Sequence, residues 1–357
     1  MKILTIVGAR PQFIKAATVS REIRNRSGIR EVLVHTGQHF DANMSDLFFQ
    51  QMEIPKPDYQ LGISGGNHGA MTGRMLAAVE DVMIKEKPDW VLIYGDTNST
   101  LAGSLAAAKL HIPVAHVEAG LRSFNMRMPE EINRVLADRI SRVLFCPTDQ
   151  AVRNLEAEGF RNLDVDILKV GDVMLDAALF YQNRSQRPAA LPEGFENQEF
   201  ALATAHRAEN TDAPDRLAGI VAGLNGLQRD IPIIMPLHPR TKKQLKSQGL
   251  TLNVHVIDPV GYLEMVWLLA HCNLVLTDSG GLQKEAWFFK KPCVTLRDET
   301  EWVELIEAGG NRLAGADVKG IVSAVLVALN SRPDFSLDLY GGGNASGQIV
   351  DWMLKWI

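Results

Sequence analysis

The sequence predicts an α/β fold of two Rossmann-like domains, each built on a parallel sheet. Its 357 residues exceed what one ordinary hydrophobic core organises. In the first half, short apolar runs bounded by turn residues alternate with stretches of 3.6-residue periodicity, the pattern of βαβ units. After a break in periodicity, the second half repeats the same alternation.

In chain order, the first-half strands are Ile3 to Val7, Val32 to His35, Trp90 to Tyr94, Val114 to Val117, Val143 to Cys146 and Val165 to Val170. Helical stretches such as His68 to Lys87 and Glu130 to Ser141 lie between them. Asn183 to Gln198 loses the periodicity and collects Pro, Gly and polar residues, as a linker would. That places an N-terminal domain at 1–182, a linker at 183–198 and a second α/β domain at 199–340. Segments ALATAH, IPIIMPLH, VHVID, NLVLTD and PCVTL are the later strands, with Arg216 to Gln228 and Tyr262 to His271 as helices between them. After Tyr340-Gly341-Gly342-Gly343, the tail 341–357 ends in a short amphipathic helix, which in a two-lobed fold can cross back onto the first lobe.

A hydrophobic fraction of 46%, with 22% charged and 7% aromatic residues, is that of a globular protein that stays in water. Net charge is −5, and no basic run interleaved with aromatics is present, so nucleic acid is not an expected partner. MKILTIVGARPQ reads as a first buried strand, with neither a cleavage site nor a span near 20 residues. No membrane association and a cytoplasmic location are expected. Cys146, Cys272 and Cys293 are far apart and lie in apolar surroundings, which fits buried, reduced thiols.

Ligands of doubly wound sheets bind beyond the carboxyl ends of the strands, so polar residues after apolar runs are the candidates. The first strand ends in Gly8-Ala9-Arg10-Pro11-Gln12, with Lys15 a turn into the next helix. This is not GxGxxG, so a nicotinamide cofactor loses support. Arg10 and Lys15 instead offer cations to a diphosphate, or form a solvated helix start. VLIYGDTNST delivers Asp96, which could also cap a helix, and VAHVEAGLRS presents His116, Glu118 and Arg122. Pro129-Glu130-Glu131 opens a helix whose dipole favours acids, so one glutamate can be purely structural. ALATAHRAEN brings His206 and Arg207, and MPLHPR brings His238 and Arg240, paired features that suit anion binding. LTDSGGLQKEA places Ser279-Gly280-Gly281 at a helix start, where backbone amides can approach a phosphate, and Glu285 where it could take ribose hydroxyls.

Taken in order, GARPQFIKA, HTGQHF, YGDTNST, HVEAGLRS, MPEEINR, VGDVMLD, AHRAEN, LHPR, DPVGYLEM, LTDSGGLQKEA and KKPCVTLRDETEW resemble the non-hydrolysing UDP-N-acetylglucosamine 2-epimerase family over nearly the whole chain. The resemblance implies a GT-B-like architecture with UDP in an interdomain cleft, no metal or other cofactor, and usually a homodimer. It puts Asp96, Glu118, Glu130 and His206 in catalytic positions. Around substrate and UDP it puts Arg10, Lys15, Gln38, His39, Arg207, His238, Ser279, Gly280, Gly281 and Glu285. The chain departs from the family pattern after Gln38-His39, in the short SFNMRM loop, and at Thr300-Glu301-Trp302-Val303-Glu304. HFDANMS and SFNMRMPEE look more like the branch acting on UDP-2,3-diacetamido-2,3-dideoxyglucuronate.

The expected reaction is UDP-N-acetylglucosamine to UDP-N-acetylmannosamine for surface-polysaccharide synthesis, or the same inversion on the diacetamido uronate. Elimination of UDP through a glycal would need diphosphate stabilisation and acid–base groups on both sugar faces. Rival readings are a glycosyltransferase, a hydrolysing epimerase, a silent UDP-sugar sensor and a metallohydrolase, the last without any HExxH-like spacing. A carboxylate at C6 of the sugar would want a cation, for which Arg122, Arg127 and Arg207 are candidates.

Overall fold

The computed structural model describes residues 1–38, 53–192, 194–195 and 198–356. Met1–Ala177 with Asp338–Ile357 form one compact unit, and Ala178–Leu337 form the other. In the first unit the strands are β1 (Lys2–Val7), β2 (Arg30–His35), β3 (Tyr59–Gln60), β4 (Trp90–Tyr94), β5 (Val114–Val117), β6 (Val143–Cys146) and β7 (Asp166–Lys169). They form one parallel sheet in the order β3-β2-β1-β4-β5-β6-β7. Every residue of β4, β5 and β6 is buried, which is why these segments read as continuous apolar runs rather than alternating ones.

The second unit carries β8 (Ala201–Thr204), β9 (Ile233–Pro236), β10 (His255–Ile257), β11 (Leu274–Thr277), β12 (Cys293–Thr295) and β13 (Asn311–Leu313). Their order is β10-β9-β8-β11-β12-β13, again parallel throughout. Both sheets therefore follow the doubly wound sequence, with the strand order reversing between β1 and β4 in one and between β8 and β11 in the other. Such a reversal opens a crevice at the carboxyl ends of the two strands, where ligands of this fold class bind.

The polar stretch 183–198 belongs to the second unit, and its Leu191 and Phe195 pack with Phe200 and Ile234 in the core. These two apolar side chains anchor the stretch expected to link the domains to the second unit's core. The C-terminal helix Ala345–Leu354 belongs to the first unit. Asp176 accepts from the amides of Ala345 at 3.1 Å and Ser346 at 2.7 Å, satisfying two open donors of its first turn. Trp352 meets Trp90 and Phe145 edge-on at 5.6 Å. Gly171, at φ +92°, is required for this docking, since a Cβ there would stand 2.6 Å from the Tyr340 carbonyl oxygen.

All three cysteines are buried and unpaired, and burial pushes the Cys272 thiol up to about 12. Among the described residues no helix is long and apolar enough to cross a membrane.

Candidate functional site

Each unit brings several of its predicted polar residues to the strand ends of its own sheet. In the first, β1 turns through Gly8 into the helix Arg10–Arg24. A Cβ on Gly8 would lie 2.0 Å from Ser99 Oγ in the helix Asn98–Lys109 and 2.4 Å from Thr36 Oγ1 after β2, so this close approach demands glycine. Buried Gln12 locks the turn: Oε1 accepts from the amides of Gly8 at 2.8 Å and Ala9 at 3.1 Å, and Nε2 donates to the Tyr94 carbonyl at 2.7 Å. Arg10 thereby begins the helix and Lys15 lies farther along it. Lys15 ion-pairs with Glu118, both largely shielded from water.

Glu118 follows β5 with φ +68°, a left-handed conformation that costs a β-carbon-bearing residue energy and is found where function or packing enforces it. Gly95, after β4 at φ +60°, makes room for it, because a Cβ there would come within 3.3 Å of Glu118 Oε2. Asp96 is next in the chain and takes a charged hydrogen bond from Arg134. Loss of surrounding water raises its carboxyl above the usual range; Glu118 adds to the rise, and Arg134 and Lys15 oppose it. A cavity of about 240 Å³ is lined by Lys15, Gln38, His68, Asp96, Glu130 and Asn133, among others.

The neighbouring glutamates have different work. Glu131 is buried and accepts from the Ser123 amide at 3.0 Å, the Phe124 amide at 2.9 Å and Arg134 at 2.8 Å, fixing the loop before its helix. Glu130 is exposed and faces the cavity. Gln38 accepts from the amide and hydroxyl of Ser99 at 3.0 and 2.8 Å, bracing the helix start beside Asp96. His39 lies outside the described residues. His116 and Arg122 do not reach the cavity as free groups. Both are buried against Asp138, and Arg122 also holds Glu158 at 2.6 and 2.9 Å, so it cannot serve as the sugar-carboxylate cation proposed for it.

In the second unit, the end of β8 carries His206 and Arg207 and the end of β11 carries Asp278 to Gly281. The His206 and His238 rings are 5.5 Å apart. His238 caps the helix Pro239–Gln248, its Nδ1 accepting from the Arg240 amide at 3.2 Å, which leaves the ring proton on Nε2 when neutral. Arg240 does not join an anion site, because its guanidinium pairs with Asp212 and donates to Thr211 Oγ1 at 3.0 Å. Ser279 caps the helix Gly280–Phe288, and Glu285 is buried on that helix. The two glycines differ: a Cβ on Gly280 would stand 2.3 Å from Glu301 Oε1, whereas Gly281 meets nothing nearer than Ser279 Oγ at 4.0 Å. Arg207 lies 3.8 Å from Glu301, and Arg297 donates to Glu301 at 2.8 Å. Among the described residues no group of acids, histidines or cysteines is arranged to hold a metal ion.

The sequence model of the UDP-N-acetylglucosamine 2-epimerase family matches residues 21–354. The chain belongs to that family. It is 60% identical over 356 residues, 99% of this chain and 100% of the other, to UDP-2,3-diacetamido-2,3-dideoxy-D-glucuronate 2-epimerase of Pseudomonas aeruginosa. It superimposes with TM-score 0.89 and 42% identity, covering 99% of this chain and 100% of the other, on Methanocaldococcus jannaschii UDP-GlcNAc 2-epimerase crystallised with UDP-GlcNAc and UDP. Likeness to the glycosyltransferase WaaG, at TM-score 0.59, 14% identity and 99% of each chain, extends to the fold alone.

For this epimerase-family chain, sequence reasoning passed over Arg134, Asp138 and Asp278. Asp138 and Arg134 share a helical face opposite Asp96 and Asp138's partner His116, but a mid-helix charge ordinarily signals solvent. Only the amphipathic placement of Arg134 one turn beyond Glu130 could have drawn notice.

Proposed function

We propose that this isomerase inverts C2 of UDP-2,3-diacetamido-2,3-dideoxyglucuronate; the second reading is interconversion of UDP-N-acetylglucosamine and UDP-N-acetylmannosamine. The observation that supports the first is the 60% identity along the full length to the enzyme named for that sugar, against 42% to the Methanocaldococcus UDP-GlcNAc enzyme. The C2 hydrogen of a glycosyl nucleotide is not adjacent to a carbonyl, so its removal must be coupled to departure of UDP from C1. A base takes the C2 proton, the C–H electrons form the C1=C2 bond of a glycal, and the C1–O electrons leave with UDP. Re-addition of UDP at C1, with a proton delivered to the other face of C2, gives the epimer.

In this scheme Asp96, Glu118 and Glu130 exchange protons at C2, and Lys15 and Arg134 hold Glu118 and Asp96 in place through their ion pairs. Arg10, His238 and the Ser279-Gly280-Gly281 helix start take the diphosphate, whose leaving charge they stabilise. His206 acts on the departing phosphate, Arg207, Gln38 and His39 contact substrate, and Glu285 holds the ribose. The reaction is placed in the cytoplasm, where UDP-sugars are made. We also propose a homodimer, supported by exposed Ile132 and Leu136 on the helix Pro129–Ile140 beside exposed Phe124 and Met126; light scattering on the purified chain should give twice the chain mass, and a monomer would remove it.

Separate incubations with the two UDP-sugars, resolved by chromatography, test the substrate. Larger kcat/KM on the uronate is expected. Turnover on UDP-N-acetylglucosamine alone would replace the first reading with the second, and turnover on neither would remove both.

A further inference from the structure

Asp278 closes β11 with no solvent exposure. An ionised carboxylate without water is costly unless donors fill its lone pairs. Here the amides of His206 at 2.9 and 3.1 Å and of Arg207 at 2.9 Å donate to it, and Asn210 Nδ2 donates at 3.1 Å. Asn210 is itself fixed, donating to the Leu296 carbonyl at 2.8 Å and accepting from Arg216 Nε at 3.0 Å. These contacts tie the turn after β8 to the end of β11 across the reversal point of the sheet.

A purely architectural aspartate would need no more than those donors. Asp278 additionally sets Oδ1 3.3 Å from Nδ1 of His206, while that imidazole remains 40% exposed. A carboxylate facing one ring nitrogen selects the tautomer protonated there and leaves the other nitrogen to do chemistry. His238 and Arg207 are the other charged or titratable groups acting on the ring, and both disfavour an additional proton.

We infer that Asp278 is a positioning residue: it holds His206 as the Nδ1–H tautomer, so that the proton the ring gains or loses during turnover sits on Nε2. When Nε2 is protonated the ring donates to the departing diphosphate, and the Asp278 carboxylate balances the imidazolium; when the proton has been given up, the ring returns to neutral Nδ1–H. This rests on the proposed action of His206 on the leaving group.

The test combines nitrogen-15 NMR of the histidine rings in the full-length protein with turnover of D278N, H206N and the double variant on the UDP-sugar that proves to be the substrate. Expected results are a neutral His206 carrying its proton on Nδ1, a fall in kcat of about 100-fold in D278N with KM little changed, and a double variant no slower than H206N alone. A neutral wild-type ring protonated on Nε2 would overturn the inference without any variant having to fold, and so would D278N and H206N losses that multiply. Failure of the His206 assignment itself looks different: H206N would then turn over at the unsubstituted rate, whichever tautomer the ring adopts.

Discussion

Nδ1 of His116 lies 2.7 Å from Oδ1 of Asp138, with neither side chain exposed to solvent. Nε2 of the same ring donates to the Gly95 carbonyl at 2.7 Å, and the second Asp138 oxygen takes Arg122 at 2.7 Å and the Gly120 amide at 3.2 Å. This buried network joins the strand ends that carry Asp96 and Glu118 to the helix Pro129–Ile140. Removing its acceptor strands an imidazole and a guanidinium without water, so Asp138→Ala should lose about 3–5 kcal/mol in urea unfolding. A loss below about 1 kcal/mol would show that the network relaxes freely.

Acid should act on the same group. Burial by itself would raise the Asp138 carboxyl, but His116 and Arg122 outweigh it and hold the group below its ordinary value. A folded value beneath the unfolded one contributes stability that is complete above the unfolded value and is lost as pH falls through the folded one. Below about pH 4, the chain should therefore lose stability more steeply than Asp138→Asn does. Parallel slopes in paired unfolding series would contradict this.

The adjacent glycines at the second sheet's reversal point should respond differently to alanine. In Gly280→Ala the new methyl must displace the Glu301 carboxylate, which sits 2.3 Å from where it would lie, and so disturbs the contacts of Glu301 with Arg297 and Arg207. Gly281→Ala has open space and gains about 1 kcal/mol of helix propensity, so its unfolding midpoint should hold or rise. If a phosphate approaches that backbone, UDP affinity should nonetheless fall about tenfold or more by calorimetry. Unchanged affinity in Gly281→Ala would move the diphosphate elsewhere.

Asp96→Asn and Glu118→Gln should each retain UDP binding while kcat drops about 100- to 10,000-fold. Since burial raises the Asp96 carboxyl, an activity that requires its ionised form should decline on acidification at a higher pH than an ordinary carboxylate would produce. Turnover at the unsubstituted rate in both variants would remove the carboxylates from the chemistry.

Much of the fold was legible because both sheets are parallel and their central strands are buried. The runs at Trp90–Tyr94, Val114–Val117 and Val143–Cys146 begin and end where the apolar stretches do. Tyr59–Gln60 escaped, since a two-residue edge strand carries no periodicity. The same strand ends announced Asp96, Glu118 and His206, but not their partners. Arg122 looked available to a sugar carboxylate until Asp138 and Glu158, 16 and 36 residues away in the chain, were seen to occupy it. Asp278 stands within LTDSGG with no role assigned to it, since its hold on His206 spans 72 residues, a separation at which sequence spacing says nothing.

Elimination and re-addition of UDP are tested most directly by an NMR time course of the purified chain in D2O with UDP-2,3-diacetamido-2,3-dideoxyglucuronate and, separately, UDP-N-acetylglucosamine. The C2 epimer of at least one sugar should grow with deuterium at C2 and the bond to UDP restored. Epimer formed with protium retained at C2, or no epimer from either sugar, would contradict elimination and re-addition.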